Sequence, residues 1–433
     1  MEQFLMETFG FSQFLGIQKL IIQAILNERD VFAICPTSAG KSLCYQFPAL
    51  FLKKCFFIIS PLLALIADQI RDLKEKFNIN VFSYSSDVDE KDKVNMINSL
   101  MADQLDTFLV YITMESIHSE RMRPVIEKLI AKNQFGGFVF DEAHTVVESK
   151  YRLAYEKAAM RQYFPGTYTI SAFTASANPA MQAAIRQKLG IVRNDAFFTQ
   201  LLYRPNITPF FSKVEPPKRM DTMVEWLKQK YGDVLPNGII YCNKKDTCTT
   251  IAESLELIFK NEFVVYHGGM GKDVREEIYT KFRANNVVAV ANDAFGMGIN
   301  KSNIRFVFQY DPPKSINGLY QAMGRAGRDG KQSYYVMFAN SKIVNVIGMM
   351  FKDNPPENLT TMRKVCSAAM DWCCTWRRIL TYLSLSEAVK MKCSGEFEKC
   401  SVCRGESLPP PSAKTPRSKP KPKISKPKRN SKK

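Results

Sequence analysis

Short runs of β-branched and aromatic residues recur along most of this chain, each followed by a longer amphipathic stretch. VFAI (31–34), CFFIIS (55–60), FLVYIT (108–113), GFVF (137–140) and YTISAFT (168–174) form one series. The pattern pauses across YRPNITPF (203–210) and EPPKR (215–219), as at a domain linker. It resumes with GIIYC (238–242), FVVYH (263–267), VVAVAN (287–292) and IRFVFQY (304–310). Strand-like runs alternating with helix-like segments belong to a parallel sheet covered by helices. The expected fold class is α/β, with two similar parallel-sheet halves in tandem. A chain of 433 residues has room for two or three such domains. From about Lys342 the pattern turns helical and Cys-rich, and after Gly405 it becomes a Pro/Lys/Ser segment. That segment cannot bury a core and is expected to be disordered.

The first half carries a phosphate-loop signature. VFAICPTSAGKSLCYQFPAL sets Thr37, Ser38, Ala39, Gly40, Lys41, Ser42 and Leu43 between a strand and a helix-like run. Backbone N–H groups at a helix N-terminus attract phosphate oxygens; Lys41 would neutralise them, and the Ser42 hydroxyl would ligate Mg²⁺. About a hundred residues on, GGFVFDEAH delivers Asp141 and Glu142 at the end of an apolar run. Acids at the carboxyl end of a parallel strand lie in the crevice where ligands bind, so Asp141 would complete the Mg²⁺ shell. Glu142 would orient or deprotonate an attacking water. SAFTASAN (171–178) places Thr174 and Ser176 at another strand end. AFGMGINK (294–301) contributes a Gly-rich turn, and QAMGRAGRDG (321–330) contributes Gln321, Arg325 and Arg328. Three residues apart, the two arginines would share one face of a helical turn and reach γ-phosphate charge from the opposite half.

Composition narrows the partners. The formal charge is +18, and the tail between Leu408 and Lys433 supplies ten basic residues with no acid. A basic body with a basic tail suits a polyanion, usually nucleic acid. The longest apolar run, Cys55 to Ala67, is broken by Ser60-Pro61 and is too short to span a bilayer. No membrane association is expected. The opening MEQFLMETFG is acidic and amphipathic, unlike a targeting peptide. Eleven cysteines without a secretory signal point to a reducing compartment and to metal ligation before disulfides. Cys393, Cys400 and Cys403 form C-x6-C-x2-C in a polar segment, with Cys373-Cys374 upstream on a helix-like stretch. Four thiolates satisfy tetrahedral Zn²⁺.

Together these residues resemble the RecQ family of superfamily-2 DNA helicases, a Bloom/Werner-like helicase core in short form. PTSAGKSLCYQFPAL, ISPLLALIADQI, FDEAH, FTASA, LLYRPNI, YHGGM, AFGMGINK and QAMGRAGRDG follow in the family's order. The resemblance implies two RecA-like lobes (1–204 and 205–345), a helical zinc-binding subdomain (346–405) and a disordered tail (406–433). It implies ATP in the cleft, with Phe11 stacking on adenine, Gln18 reading it, and Arg328 acting as an arginine finger. It also implies 3′→5′ translocation on single-stranded DNA and unwinding of tailed or branched duplexes in nuclear repair, recombination and replication. The fourth zinc ligand is Cys373 or Cys374, with Cys374 favoured as nearer the family position.

Several residues depart from the family pattern. Ser38 stands where Gly is usual, although PTSAGK resembles the loop of Ski2-like and polymerase-theta-type helicases. Leu15 replaces an Arg against the adenine, and Trp376 stands where the first zinc Cys usually lies. After DEAH, TVVESKYRLAY is shorter than the family's aromatic-rich DNA-sensing loop and has no Trp; Tyr151, Arg152 and Tyr155 remain to contact DNA. The alternatives to a helicase are a DNA-stimulated ATPase that translocates or anneals with weak unwinding, or a non-catalytic DNA-binding relic. The tail serves as an import signal or as a DNA-holding arm.

Overall fold

In a computed structural model, the described residues are 1–36, 39–61, 63–148, 153–191, 196–200, 202–284, 286–296, 301–313, 315–339, 375–383, 399–400 and 403. They build two parallel sheets in succession. The first contains β1 (Val31–Ile34), β2 (Cys55–Ile59), β3 (Val81–Tyr84), β4 (Leu109–Ile112), β5 (Phe135–Phe140), β6 (Thr169–Thr174) and β7 (Phe197–Thr199). Their order across the sheet is β3-β4-β2-β5-β6-β1-β7. Around it lie α1 (Glu2–Phe9), α2 (Gln18–Leu26), α3 (Leu43–Leu52), α4 (Leu63–Phe77), α5 (Glu90–Met101), α6 (Met114–Ile117), α7 (Met122–Ala131), α8 (Thr145–Glu148), α9 (Met160–Tyr163) and α10 (Pro179–Leu189). Every residue of β1, β2, β4, β5 and β6 is buried. The pleat explains this: Phe32, Ile34, Phe57 and Ile59 enter one apolar cluster, whereas Val31, Ala33, Phe56 and Ile58 enter another on the opposite face. Unbroken apolar runs, rather than alternating ones, are what such doubly covered strands require.

The second sheet contains β8 (Ile207–Lys213), β9 (Gly238–Tyr241), β10 (Phe263–Tyr266), β11 (Val288–Ala291), β12 (Phe306–Gln309) and β13 (Ser333–Ala339), ordered β10-β11-β9-β12-β13-β8. Its principal helices are α11 (Arg219–Tyr231), α12 (Lys245–Glu256), α13 (Lys272–Ala284) and α14 (Ile316–Met323). Both lobes are thus parallel α/β domains of RecA-like type. The expected linker needs correction, because ITPFFSK is a strand paired along its length with β13. Pro209 disguised it. A proline cannot donate to a ladder, but β8 is an edge strand and has a partner on one side only. The terminal strands β3 and β7 were also absent from the expected series; their partly exposed positions break the apolar run.

Beyond the second sheet, a helix at Thr375–Tyr382 docks on the second lobe. Trp376 is 1% exposed; its indole Nε1 donates to the Ile207 carbonyl at 3.0 Å, and its ring meets Tyr203 edge-on. The tryptophan at the family's cysteine position is therefore a packing anchor. Cys400 is buried and Cys403 half-buried against the same apolar cluster. Cys373, Cys374 and Cys393 lie outside the described residues, as does the tail. Among the described residues no three metal-ligating side chains gather, and no helix is long and apolar enough to cross a membrane.

Candidate active site at the facing strand ends

The phosphate loop leaves the carboxyl end of β1 and runs into α3, whose N-terminal flank is Ser42. Thr37 and Ser38 lie outside the described residues; Lys41 and Ser42 are half-buried, and Leu43 is buried. Gln18 grips this loop from below. Its Oε1 accepts the Leu15 N–H at 2.8 Å, while Nε2 donates to the carbonyls of Ala39 and Gly40, each at 3.1 Å. Gly40 has φ +68°, and a Cβ there would stand 2.4 Å from the Gln18 amide nitrogen. The left-handed φ favours glycine, and a side chain here would displace the Gln18 amide from the two carbonyls it holds. Gln18 is 4% exposed, so its amide serves the loop backbone, while Phe11 and Leu15 ahead of it present 48% and 58% of their surface to solvent.

Asp141 and Glu142 follow β5. The Asp141 N–H donates to the Ile59 carbonyl at 3.0 Å, holding the residue at the strand end. Glu142 sits at φ 51°, a left-handed conformation that costs a non-glycine residue about 1–2 kcal/mol. Its N–H donates to Asp141 Oδ1 at 3.0 Å. Strain at such a position turns the side chain out of the strand direction, as functional sites commonly require. The Tyr45 hydroxyl stands 3.5 Å from Asp141 Oδ2 and also donates to Gln69 Oε1, which receives the Tyr111 hydroxyl at 2.6 Å. Burial and the adjacent Glu142 charge push the Asp141 carboxyl up to about 6, with Lys41 pulling the other way. Glu142 Oε2 is buried without a hydrogen bond among the described residues, although His144 Nδ1 stands 3.4 Å away. Two neighbouring carboxylates short of positive charge fit a cation.

His144 connects this site to the second lobe. The ring is 5% exposed, with Nδ1 3.1 Å from Thr174 Oγ1 and Nε2 3.0 Å from the Gln321 amide nitrogen. Because an amide nitrogen donates, the network assigns the ring proton to Nδ1 and makes Nε2 the acceptor. Thr174 Oγ1 also accepts the Ser176 N–H at 3.2 Å. The ends of β5 and β6 and helix α14 are thereby joined through one imidazole. In the sequence, the one signal that marks His144 is its place two residues after Glu142.

Helix α14 is capped by Ser315, whose Oγ accepts the Gly318 N–H at 3.0 Å, and it ends at Met323. Arg325 and Arg328 were expected on one helical turn, but they occupy the loop that follows. That loop is clamped from the segment between the sheets. Arg204 Nη2 donates to the Gly327 carbonyl at 2.6 Å and to the Ala326 carbonyl at 3.2 Å; Asn206 Nδ2 donates to the carbonyls of Gly327 and Lys331 at 2.8 and 3.0 Å. Gly327 has φ +54°, and a Cβ there would meet Asn206 Nδ2 and Ser333 Oγ, each at 2.6 Å. The motif LLYRPNI was recognised in the sequence, but its task as a clamp is visible only in three dimensions. Burial and the neighbouring Arg325 and Arg204 lower the Arg328 guanidinium to about 10, against Tyr279 and, across the cleft, Glu142. Three guanidinium groups crowded in partly dehydrated space form a site for a polyanion.

The remaining expected residues fall elsewhere. Tyr151 and Arg152 lie outside the described residues. Tyr155 requires correction as a DNA contact, because it is 1% exposed and belongs to the first lobe's apolar cluster. A ring packed on every side cannot stack on a base.

Comparison with known proteins agrees with this geometry. Residues 16–184 match the DEAD/DEAH box helicase family, and 218–330 match the helicase conserved C-terminal domain. The chain is 34% identical over 336 residues to ATP-dependent DNA helicase Q-like 4B of Arabidopsis thaliana, covering 76% of this chain and 28% of that protein. It is 35% identical over 342 residues to ATP-dependent DNA helicase RecQ of Haemophilus influenzae, covering 77% of this chain and 52% of that one. The chain therefore spans between about a quarter and a half of these relatives. Among solved structures, Mycobacterium smegmatis helicase Lhr bound to ssDNA and AMP-PNP superposes with a TM-score of 0.62 at 16% identity, over 87% of this chain and 54% of that one. At that identity the likeness is one of fold.

Proposed function

This chain belongs to the DEAD/DEAH box helicases as a RecQ-type member, and on that premise we propose that it hydrolyses ATP to move 3′→5′ along single-stranded DNA and open duplexes. The observation that carries the reading is the direct hydrogen bond from Gln321 to His144, which ties the arginine loop of one lobe to the carboxylate pair of the other. The loop N–H groups and the α3 N-terminus receive the phosphates, with Lys41 opposite their charge. Ser42 and Asp141 would hold Mg²⁺, which supplies charge neutralisation at the β- and γ-phosphate oxygens. Glu142 accepts a hydrogen bond from the attacking water and aims it at the γ-phosphorus. Arg325 and Arg328 meet the charge that develops on the transferred oxygens, a role worth several orders of magnitude in rate for such fingers.

Departure of the γ-phosphate removes the anion that holds Arg325 and Arg328 beside the first lobe, so the cleft relaxes. Alternation of these two states moves the lobes along a strand. Gln18 braces the loop through the Ala39 and Gly40 carbonyls and keeps the adenine-reading role implied for it, with Phe11 to stack on the base. Cys393, Cys400 and Cys403, with Cys374 or Cys373, would hold a structural Zn²⁺; elemental analysis should find about one zinc per chain, and a folded, zinc-free protein would refute that assignment. The deciding experiment is strand displacement on a 3′-tailed duplex, run beside ATPase with and without single-stranded DNA. Lys41→Ala should abolish hydrolysis and displacement while retaining DNA binding. ATPase stimulated by DNA without displacement identifies a translocase instead, and activity surviving in Lys41→Ala overturns the site.

A further inference from the structure

Asp68 lies outside every role assigned above, yet it is 3% exposed and ionisable. It sits on α4 of the first lobe, and two of its partners belong to the second. Arg283 Nη1 donates to Asp68 Oδ1 at 3.2 Å, and the Tyr279 hydroxyl donates to Oδ2. Tyr279 and Arg283 are four residues apart on α13, so they present adjacent side chains on one helical face. The third partner, Arg71, is one turn along α4 and also donates to Oδ1. An exposed pair of this kind would contribute little; a carboxylate this buried depends on its partners, because losing them strands the charge out of water.

The neighbours of this contact connect it to the reaction. Gln69, the next residue on α4, receives the Tyr45 hydroxyl that stands beside Asp141. Tyr279, on the other side, lies within electrostatic range of the Arg328 guanidinium. Successive residues of one helix thus touch the carboxylate side and the arginine side of the cleft. We propose that Asp68 is a positioning residue, a carboxylate that latches α13 to α4 when the lobes close and so seats Arg328 at the γ-phosphate position. Opening of the lobes separates Asp68 from Tyr279 and Arg283 while leaving Arg71 in place. The latch therefore distinguishes the closed from the open state.

The inference rests on the ATPase reading, and the test separates the two. In the full chain, Asp68→Asn keeps the shape and an acceptor oxygen but removes the charge. With single-stranded DNA present, it should lower kcat for ATP at least tenfold and leave KM within threefold, since the phosphate loop is untouched. Arg283→Gln should reproduce this loss, the double variant should lose no more than either single one, and Arg71→Gln should stay within twofold of the parent. Hydrogen–deuterium exchange of residues 272–284 in the presence of a non-hydrolysable ATP analogue should rise about tenfold in Asp68→Asn, with β5 and β12 unchanged. Parental kcat in Asp68→Asn overturns the proposal, as does an equal loss in Arg71→Gln with a lowered melting temperature. Should the parent chain lack ATPase, the catalytic reading fails, and the exchange measurement alone decides the latch: faster exchange of 272–284 supports it and unchanged exchange refutes it.

Discussion

Replacing Asn206 by Ala separates a structural from a catalytic role for the arginine-loop clamp. Asn206 is 4% exposed; besides a long 3.3 Å contact in which its Oδ1 accepts Arg204 Nε, its amide nitrogen makes two hydrogen bonds, to the Gly327 and Lys331 carbonyls. Each is worth about 1 kcal/mol net. Neither carbonyl is stripped bare by the change, because Arg204 still donates to Gly327 and the Ser333 hydroxyl to Lys331. The stability loss should therefore be about 2 kcal/mol rather than the larger penalty of stranded buried acceptors. Catalysis responds differently. The loop carrying Arg325 and Arg328 loses one of its two side-chain clamps, and a displacement of about 1 Å in a positioned charge costs on the order of 10²-fold in rate. Urea unfolding followed by tryptophan emission suits the first measurement, because Trp226 and Trp376 both lie in or against the second lobe. Steady-state ATPase with single-stranded DNA gives the second. A kcat within threefold of the parent, beside a loss of about 2 kcal/mol, would falsify the clamp and leave Asn206 an ordinary buried amide.

Three further outcomes follow from particular residues. Tyr155→Ala should destabilise the first lobe by about 3–5 kcal/mol, as loss of a buried aromatic does, while the folded fraction binds DNA unchanged; weaker DNA binding at full stability would restore the stacking role. Asp141 is raised to about 6, whereas an unfolded Asp titrates near ~3.9, so its contribution to the stability of the ion-free protein is full below ~4 and is lost as pH rises through about 6. Over the same window Mg²⁺-dependent nucleotide binding should strengthen up to about tenfold per pH unit and then level off; flat Mg²⁺ dependence between pH 5 and 7 would refute the carboxylate as ligand. Removing residues 408–433 should reduce the slope of log affinity for single strands against log salt by up to about 0.7 per basic residue engaged, and an unchanged slope leaves the tail as an address signal.

Much of this protein can be read without coordinates, for a physical reason. A parallel strand covered on both faces must be apolar at every position, so VFAI, CFFIIS, GFVF and YTISAFT identify themselves. A phosphate loop needs its strand, glycine, lysine and helix in immediate succession, so Gly40, Lys41 and Ser42 declare their chemistry locally. Asp141 and Glu142 do likewise at a strand end. β8 escapes because its open side tolerates Pro209, and β3 and β7 because exposed positions break the run; the edge strand β10 is legible, whereas the inner β13 is not. Tyr155 misled because an aromatic near a DNA-contacting loop reads the same whether its ring faces solvent or the core; only packing distinguishes them. The sequence by itself determined the two lobes and the local ends of the ATP site. The tertiary structure alone decided how they meet: His144 on Gln321 and Asp68 on Arg283 join residues 177 and 215 positions apart. Such pairs leave no periodicity in the chain, because their partners are selected by the closing of two separately folded sheets.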